Sequence, residues 1–298
     1  MKNILVAAAV VLFAAVGAQA QNNEVLTFTR IARDARTSGL AGAGSASVSS
    51  AAYASFTNAA VIPFYDGSFD VAATGQRLTP FLGGSTGISL GGSYNFGRIG
   101  VTLGGLVQLE RPDYDGFRPT EYQVNVGLGY KFTSWLGAGV NARFVGQGLF
   151  PGKSNLGFNF DVLLLAAPVK GLTLTAGVAN IGNSIQDTQR YDYPQPASIK
   201  FAAAYLLGLG KHGLEFMLDE DYYFFGKQNA VAAGLEYNFD KLVFARAGYR
   251  YATAGCAYPS HLGVGLGFQY WGIRLDVSYL TLSEVYGNTI AVSLGYRF

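Results

Sequence analysis

From about residue 68 to the C-terminus, apolar and polar side chains change places at every step. Tyr122, Val124, Val126, Leu128 and Tyr130 alternate with Gln123, Asn125, Gly127, Gly129 and Lys131, and Leu136 to Phe144 repeats the pattern around Asn141 and Arg143. In the stretch 235–251, Leu235, Tyr237 and Phe239 flank Glu236 and Asn238, and Val243, Ala245, Ala247, Tyr249 and Tyr251 flank Arg246, Gly248 and Arg250. A period of two is the signature of strands whose successive side chains face opposite ways. The pattern predicts strands near 68–77, 86–96, 99–109, 119–132, 135–146, 155–167, 172–181, 197–207, 213–220, 228–239, 242–251, 261–270, 272–281 and 288–298. That is about fourteen, an even number, as a closed single-chain outer-membrane barrel requires.

The links between these segments alternate in kind. Short turns fall at Gly97-Arg98, Thr133-Ser134, Pro168 to Gly171, Gly208 to Gly213, Asp240-Lys241 and around Trp271, and longer polar links occupy 110–121, 182–197 and 252–260. Short turns on one side and long loops on the other are the asymmetry of transmembrane barrels. Lipid accepts an apolar face only, and every backbone amide needs a neighbouring strand, so the sheet must close on itself. Tyr237, Phe239, Tyr249, Tyr251, Tyr270 and Trp271 then stand at segment ends, where aromatic girdles meet the headgroups. The charged residues point into the lumen. The fold class expected is all-β, a transmembrane antiparallel up-and-down β-barrel with a short N-terminal plug; a soluble sandwich suits strands of roughly ten residues less well.

Composition agrees. Half the residues are hydrophobic, only 13% are charged and 40 are Gly, yet no apolar run beyond the leader is long enough for a membrane helix. Residues 1–20 carry Lys2, an apolar run from Ile4 and the sequence Ala18-Gln19-Ala20, the form of a secretory signal peptide, with an uncleaved anchor as the rival reading. Export to the outer membrane makes lipid and lipopolysaccharide the surrounding partners. Basic and acidic residues nearly balance, so no strong field draws nucleic acid. Cys256 is the sole cysteine, which excludes an intramolecular disulfide framework.

Residues 21–67 do not alternate. They hold a Gly-Ala-Ser tract, but Ile31, Leu40, Val48, Tyr53, Phe56, Val61 and Phe64 are anchors that a linker does not need. The segment is expected to be a hatch that enters or caps the barrel formed by 68–298. Inward glycines (Gly127, Gly129, Gly137, Gly139, Gly234, Gly248, Gly263, Gly265 and Gly267) signal either close approach of another backbone or tight curvature. Glu215, Glu236, Arg246, Arg250, Arg274 and Asp276 lie on neighbouring strands and predict a ladder of lumen charges that braces the wall or guides a substrate.

Catalysis finds little. His261 with Ser260 or Ser283 is the one arrangement from which a triad might be built, and its spacing gives it no support. Asp219-Glu220-Asp221 reads as a solvated charge run at a strand end, with Ca²⁺ or lipopolysaccharide bridging as the functional reading. No Cys/His spacing suggests zinc, and residues 39–47 lack the lysine of a phosphate loop. A non-enzyme with no cofactor is expected.

Residues 30–60, "RIARDARTSGLAGAGSASVSSAAYASFTNAA", resemble the N-terminal signature of the PorV/PorQ family of Bacteroidota outer-membrane proteins, relatives of the FadL-type hydrophobic-compound channels. The matching positions are Arg30, Ala32, Ala35 and Arg36, then Gly42, Gly44 and Ala46, then Phe56 to Ala60 around Asn58; Arg33 and Asp34 fall within the first block. The chain departs from the family where Thr57 precedes Asn58 and Ala59 replaces the expected proline. The ending "SLGYRF", with Leu294, Tyr296 and Phe298 in the apolar positions, resembles the signal read by the barrel-assembly machinery. The resemblance implies a fourteen-stranded barrel and one of two roles. As a PorV/PorQ-type protein it would partner type IX secretion proteins in export or surface attachment, the reading favoured by the polar, tyrosine-rich link 182–197; as a FadL-type channel it would bind and pass a hydrophobic ligand. Leu149, Phe150 and Pro151 form an apolar tip that suits either.

Overall fold

The computed structural model describes residues 24–78, 84–112, 115–151, 153–186, 192–281 and 288–298. The expected leader, Ser283 and part of the longest link lie outside them.

Alternation produces the expected strands: β1 (Phe69–Leu78), β2 (Ser85–Asn95), β3 (Ile99–Leu109), β4 (Thr120–Lys131), β5 (Leu136–Phe150), β6 (Lys153–Val169), β7 (Leu172–Gly182), two-residue β8 (Ile185–Gln186) and β9 (Asp192–Tyr193), β10 (Ser198–Leu209), β11 (His212–Tyr223), β12 (Gln228–Phe239), β13 (Val243–Ala252), β14 (His261–Tyr270), β15 (Ile273–Thr281) and β16 (Thr289–Arg297). All but β8 and β9, which pair with each other, form one closed antiparallel barrel of 14 strands, each beside its chain neighbour and β1 against β16. The seam is regular from Asp70↔Arg297 to Arg77↔Ile290. Closure leaves no strand edge to hydrate, the condition lipid imposes.

The β5–β6 hairpin is longer than its sequence suggests. The sequence places residues 147–154 between two strands, yet Gln147 pairs with Asn155 and Phe150 with Lys153 across a register shift. Cross-strand pairing satisfies the backbone there whatever the polarity of the side chains. The expected apolar tip is thus a tight turn at Pro151.

Outward positions are apolar. Leu266 is 67% exposed, and Leu90, Leu103, Val126, Phe268 and Leu294 are likewise open. Exposed rings collect at the short-turn end, among them Tyr94, Phe96, Phe132, Trp135, Tyr270 and Trp271, the last 82% exposed. This is a headgroup girdle. Charges take the inward positions: Glu215, Glu236, Arg246, Arg250, Arg274 and Asp276 are all buried.

Candidate functional site in the barrel interior

The interior is filled by the chain's own N-terminal segment. Val25 N–H donates to the Pro194 carbonyl (3.2 Å) in the long-link region, and Asp66 meets Lys241 (3.7 Å) among the short turns, so residues 25–66 run the length of the lumen. Small side chains allow this. Ala35, Ala41, Ala43, Ala46, Ala52 and Ala60 are buried against the wall, and the wall answers with glycine. A Cβ on Gly139 would lie 2.2 Å from Ala60 N, on Gly248 2.3 Å from the Leu40 carbonyl, and on Gly263 2.4 Å from Ser38 O. The other inward glycines named above, Gly127, Gly129, Gly137, Gly234 and Gly265, also meet atoms of this segment; Gly267 alone of them faces Arg246 and Asp276 instead. Of the two readings, close backbone approach is what the contacts show.

Polar anchors fix the segment's path. Asp34 caps the short helix α1 (Ala35–Gly39) by accepting from Thr37 N–H (2.9 Å), and Ala35 N–H donates to Ser293 Oγ on β16 (2.8 Å). The turn that follows needs Gly42 and Gly44, whose φ values are +93° and +129°. Asp219 accepts from Gly44 N–H (2.8 Å) and Ser45 N–H (3.1 Å). Further along, Asp70 accepts from Ala51 N–H (2.9 Å) and Ala52 N–H (3.1 Å). Asn58 donates to Ser45 O (2.9 Å) and Thr175 Oγ1 (3.1 Å) while accepting from Ala60 N–H (2.9 Å). Tyr53 bonds Thr74 Oγ1 (2.6 Å).

Asp219 and Asp221 correct the sequence reading. They are not a solvated run: β11 extends three residues past its predicted end, and both carboxylates turn inward, buried, where Lys200 lies 2.9 Å from Asp221 and 3.9 Å from Asp219. Period two carries them there, and a cluster of like charges masks it in the sequence.

The charge ladder forms and extends to the plug. Arg36 reaches Glu236 (2.8 Å) and Glu215 (3.1 Å), which stand directly opposite each other on β12 and β11. Arg246 binds Glu236 and Asp276 (2.6 Å each), and Arg274 continues to Asp276 (3.2 Å) and Asp70 (3.4 Å). Sequence reasoning placed Arg36 and these wall charges separately, because only the threading of the plug brings them together. Arg250 stands outside the ladder, with a hydrogen bond to Tyr223 Oη (3.2 Å). The remaining motif arginines also find partners: Arg30 pairs with Glu24, and Arg33 donates to Gln108 Oε1 (3.0 Å) and the Phe28 carbonyl. A further ion pair, Arg143 with Asp161, goes beyond the sequence reading; Arg143 also bonds Asn180 Oδ1 (3.0 Å) and Phe56 O (3.2 Å), tying an irregular stretch of the β6–β7 wall to the plug.

The two ends of the lumen differ. A cavity of about 920 Å³ opens among the short turns, lined by Val48, Phe64, Trp135, Leu206, Glu215 and Asn238. Toward the long links the plug fills an apolar site with its own side chains: Leu26, Phe28 and Ile31 pack with Leu78, Leu106, Val145, Ile185 and Tyr258. Leu26 does so at φ +57°, a left-handed conformation that is strained for leucine.

With Ser260 the triad arrangement does not form, and Ser283 lies outside the described residues. Ser260 Oγ accepts from Ala252 N–H (2.9 Å), whereas His261 Nδ1 lies against Pro259 O (2.9 Å) with its ring beside Tyr258. Burial pushes the Cys256 thiol up, away from a reactive thiolate. Among the described residues no group of three His, Cys, Asp or Glu side chains is placed to hold a metal ion.

These features define a closed membrane-type β-barrel with its own chain folded into the lumen. No family model and no curated protein matches the sequence. Among solved structures, the chain is similar to the Pseudomonas putida toluene transporter TodX, with a TM-score of 0.61 and 13% identity over 93% of this chain and 98% of that one. It is similar also to a Pseudomonas aeruginosa FadL homologue (TM-score 0.56, 13% identity, 89% and 98% covered) and to a deltaS2 mutant of the TodX monoaromatic hydrocarbon channel (0.58, 14%, 83% and 94%). At such identities the likeness is one of fold, and the fold is FadL-like. The affiliation with PorV/PorQ drawn from residues 30–60 is not part of that likeness.

Proposed function

We propose that the protein is a non-enzymatic outer-membrane channel for hydrophobic small molecules, with residues 25–66 as its hatch. The observation that carries this reading is the apolar site beneath the long links, occupied by Leu26, Phe28 and Ile31 from the chain itself. A hydrophobic solute of similar size can take their place, and release of the strained Leu26 backbone favours the exchange. The FadL-like fold supports the same reading, since the neighbours are a toluene transporter and a FadL homologue. Of the two roles raised by the sequence, this one also agrees better with the placement of the motif: Asp34, Arg36, Gly44 and Asn58 spend their contacts on the plug and its own wall, which leaves them off the surface that a secretion partner would touch.

The test is uptake of a labelled monoaromatic hydrocarbon by cells stripped of their own hydrophobic-compound channel. Expression of this protein raises the uptake rate under the proposal. An unchanged rate, with the barrel shown to be in the outer membrane, overturns it. Cross-linking in the native cell followed by purification addresses the secretion role; recovery of type IX components would transfer the assignment to the PorV/PorQ-type function.

A further inference from the structure

Arg250 is 4% exposed, makes no ion pair among the described residues, and leaves its Nε without a hydrogen-bond acceptor. Close by, the Arg30 side chain is 1% exposed, stacked 3.5 Å over the ring of Tyr223, the same residue whose hydroxyl accepts from Arg250. Arg30 uses one nitrogen on Glu24, while Nε and Nη1 have no acceptor. Both arginines line a polar cavity of about 80 Å³ between the plug and the wall, together with Arg33, Arg143 and Lys200.

The carboxylates at this cavity are already engaged. Asp161 pairs with Arg143, Asp221 with Lys200, and Asp34 caps α1. Lys200 takes both Asp221 and Asp219, so Arg250 has no carboxylate within ion-pair distance among the described residues, and three guanidinium nitrogens have nothing to donate to. Each unmade bond of a buried donor costs about 1–3 kcal/mol, more when charged. A water accepts from one or two of these donors, whereas a single oxyanion accepts from both guanidinium groups at once. The space suits a few waters or one compact group, not a bulky one.

We propose that this cavity is a binding site for a compact oxyanion, held by Arg250 and Arg30 with Arg33 and Lys200 beside it. A phosphate, a sulfate or a carboxylate spreads its charge over several oxygens, which is what forked guanidinium donors recognise. The site adjoins the hydrophobic position filled by Ile31 but does not depend on the channel reading, and its absence would leave that reading standing.

Two measurements test it on the whole protein in detergent. The first is thermal unfolding against inorganic phosphate, with chloride at matched ionic strength as reference and hexanoate as a second probe. A saturable rise in Tm with phosphate that Arg250→Gln abolishes and Lys211→Gln, at a distant short turn, retains is the expected result. A rise with hexanoate but not phosphate, equally lost in Arg250→Gln, keeps the site and assigns it to the carboxylate of an organic compound. No saturable rise with either probe, or a rise undiminished in Arg250→Gln, overturns the proposal. Should Arg250→Gln fail to fold, Arg30→Gln serves as the variant, and selenate soaked into crystals of the natural protein decides independently. A selenium anomalous peak between Arg30 and Arg250 supports the site; its absence at saturating selenate refutes it.

Discussion

At the scale of single residues, Arg36 is where plug and wall meet electrostatically. Glu215 and Glu236 face each other across β11 and β12, and like charges directly opposite are destabilising unless a cation intervenes. Glu236 keeps Arg246 if Arg36 is lost, but Glu215 has no other ion-pair partner among the described residues. Arg36→Met is therefore expected to cost about 3–5 kcal/mol, the loss typical of one partner removed from a buried pair. Adding Glu215→Gln should restore most of it. Urea unfolding of the two variants measures both quantities, and equal loss in single and double mutants would deny the pairing. Glycine tests the packing side of the same contact. Gly248→Ala drives a methyl into the Leu40 carbonyl and should cost about 1–3 kcal/mol as overpacking does, whereas Gly208→Ala, which meets nothing within 4 Å, should be neutral. Protease cleavage within residues 25–66 should rise in the first and not in the second.

At the scale of strands, the outer wall answers to lipid depth. Leu266 projects from the middle of β14, between Ala245 of β13 and Val277 of β15, so Leu266→Arg places a charge near the centre of the hydrocarbon and should cost about 2–4 kcal/mol. Trp271→Arg, at the headgroup girdle, should cost only about 0–1 kcal/mol. Folding titrations in vesicles give the difference; equal costs would mean that the girdle is misplaced. This dependence on depth is also why the strands were legible. Lipid and lumen impose opposite polarities on successive residues, and that constraint is written locally, as in Val243 to Tyr251. Where neither medium presses on the chain, as in the upper part of the β5–β6 hairpin, the pattern fades, and at Asp219 and Asp221 it persists but is hidden by a run of like charges. The wall side of the interior site, from Glu215 to Asp276, followed from alternation alone. What period two cannot convey is which atoms of a non-repeating plug lie against which rung. The contacts of Arg36, the role of Asp70 as an acceptor for Ala51 and Ala52, and the filling of the apolar site by Leu26 depend on long-range threading with no local signal.

At the scale of the whole molecule, barrel and plug close differently, and the difference separates their roles. The wall closes through β1 and β16, and the chain end reinforces that seam: Ser68 and Phe69 N–H donate to the Phe298 carbonyl (2.8 and 3.0 Å), and Phe298 N–H returns to Phe69 O (3.1 Å). Leu294, Tyr296 and Phe298 point outward along it. Removal of Phe298 should thus lower assembly into the membrane, seen as a smaller folded fraction on a heat-modifiability gel. Deletion of residues 25–66 acts on the other closure. None of the strand pairings that complete the cylinder uses those residues, and the carboxylates they now engage, Glu215, Asp219 and Asp70, would be hydrated by the water that enters, so their burial cost disappears with the plug. The shortened protein should still insert and show the mobility of a folded barrel, but as an open pore, with a steady conductance in planar bilayers that the intact protein lacks. If the deletion instead abolishes folding, the plug is a core on which the wall is built, and the wall glycines exist to seat a permanent support. If it folds and conducts, those glycines seat an element that the finished barrel can do without, which is what a movable hatch requires.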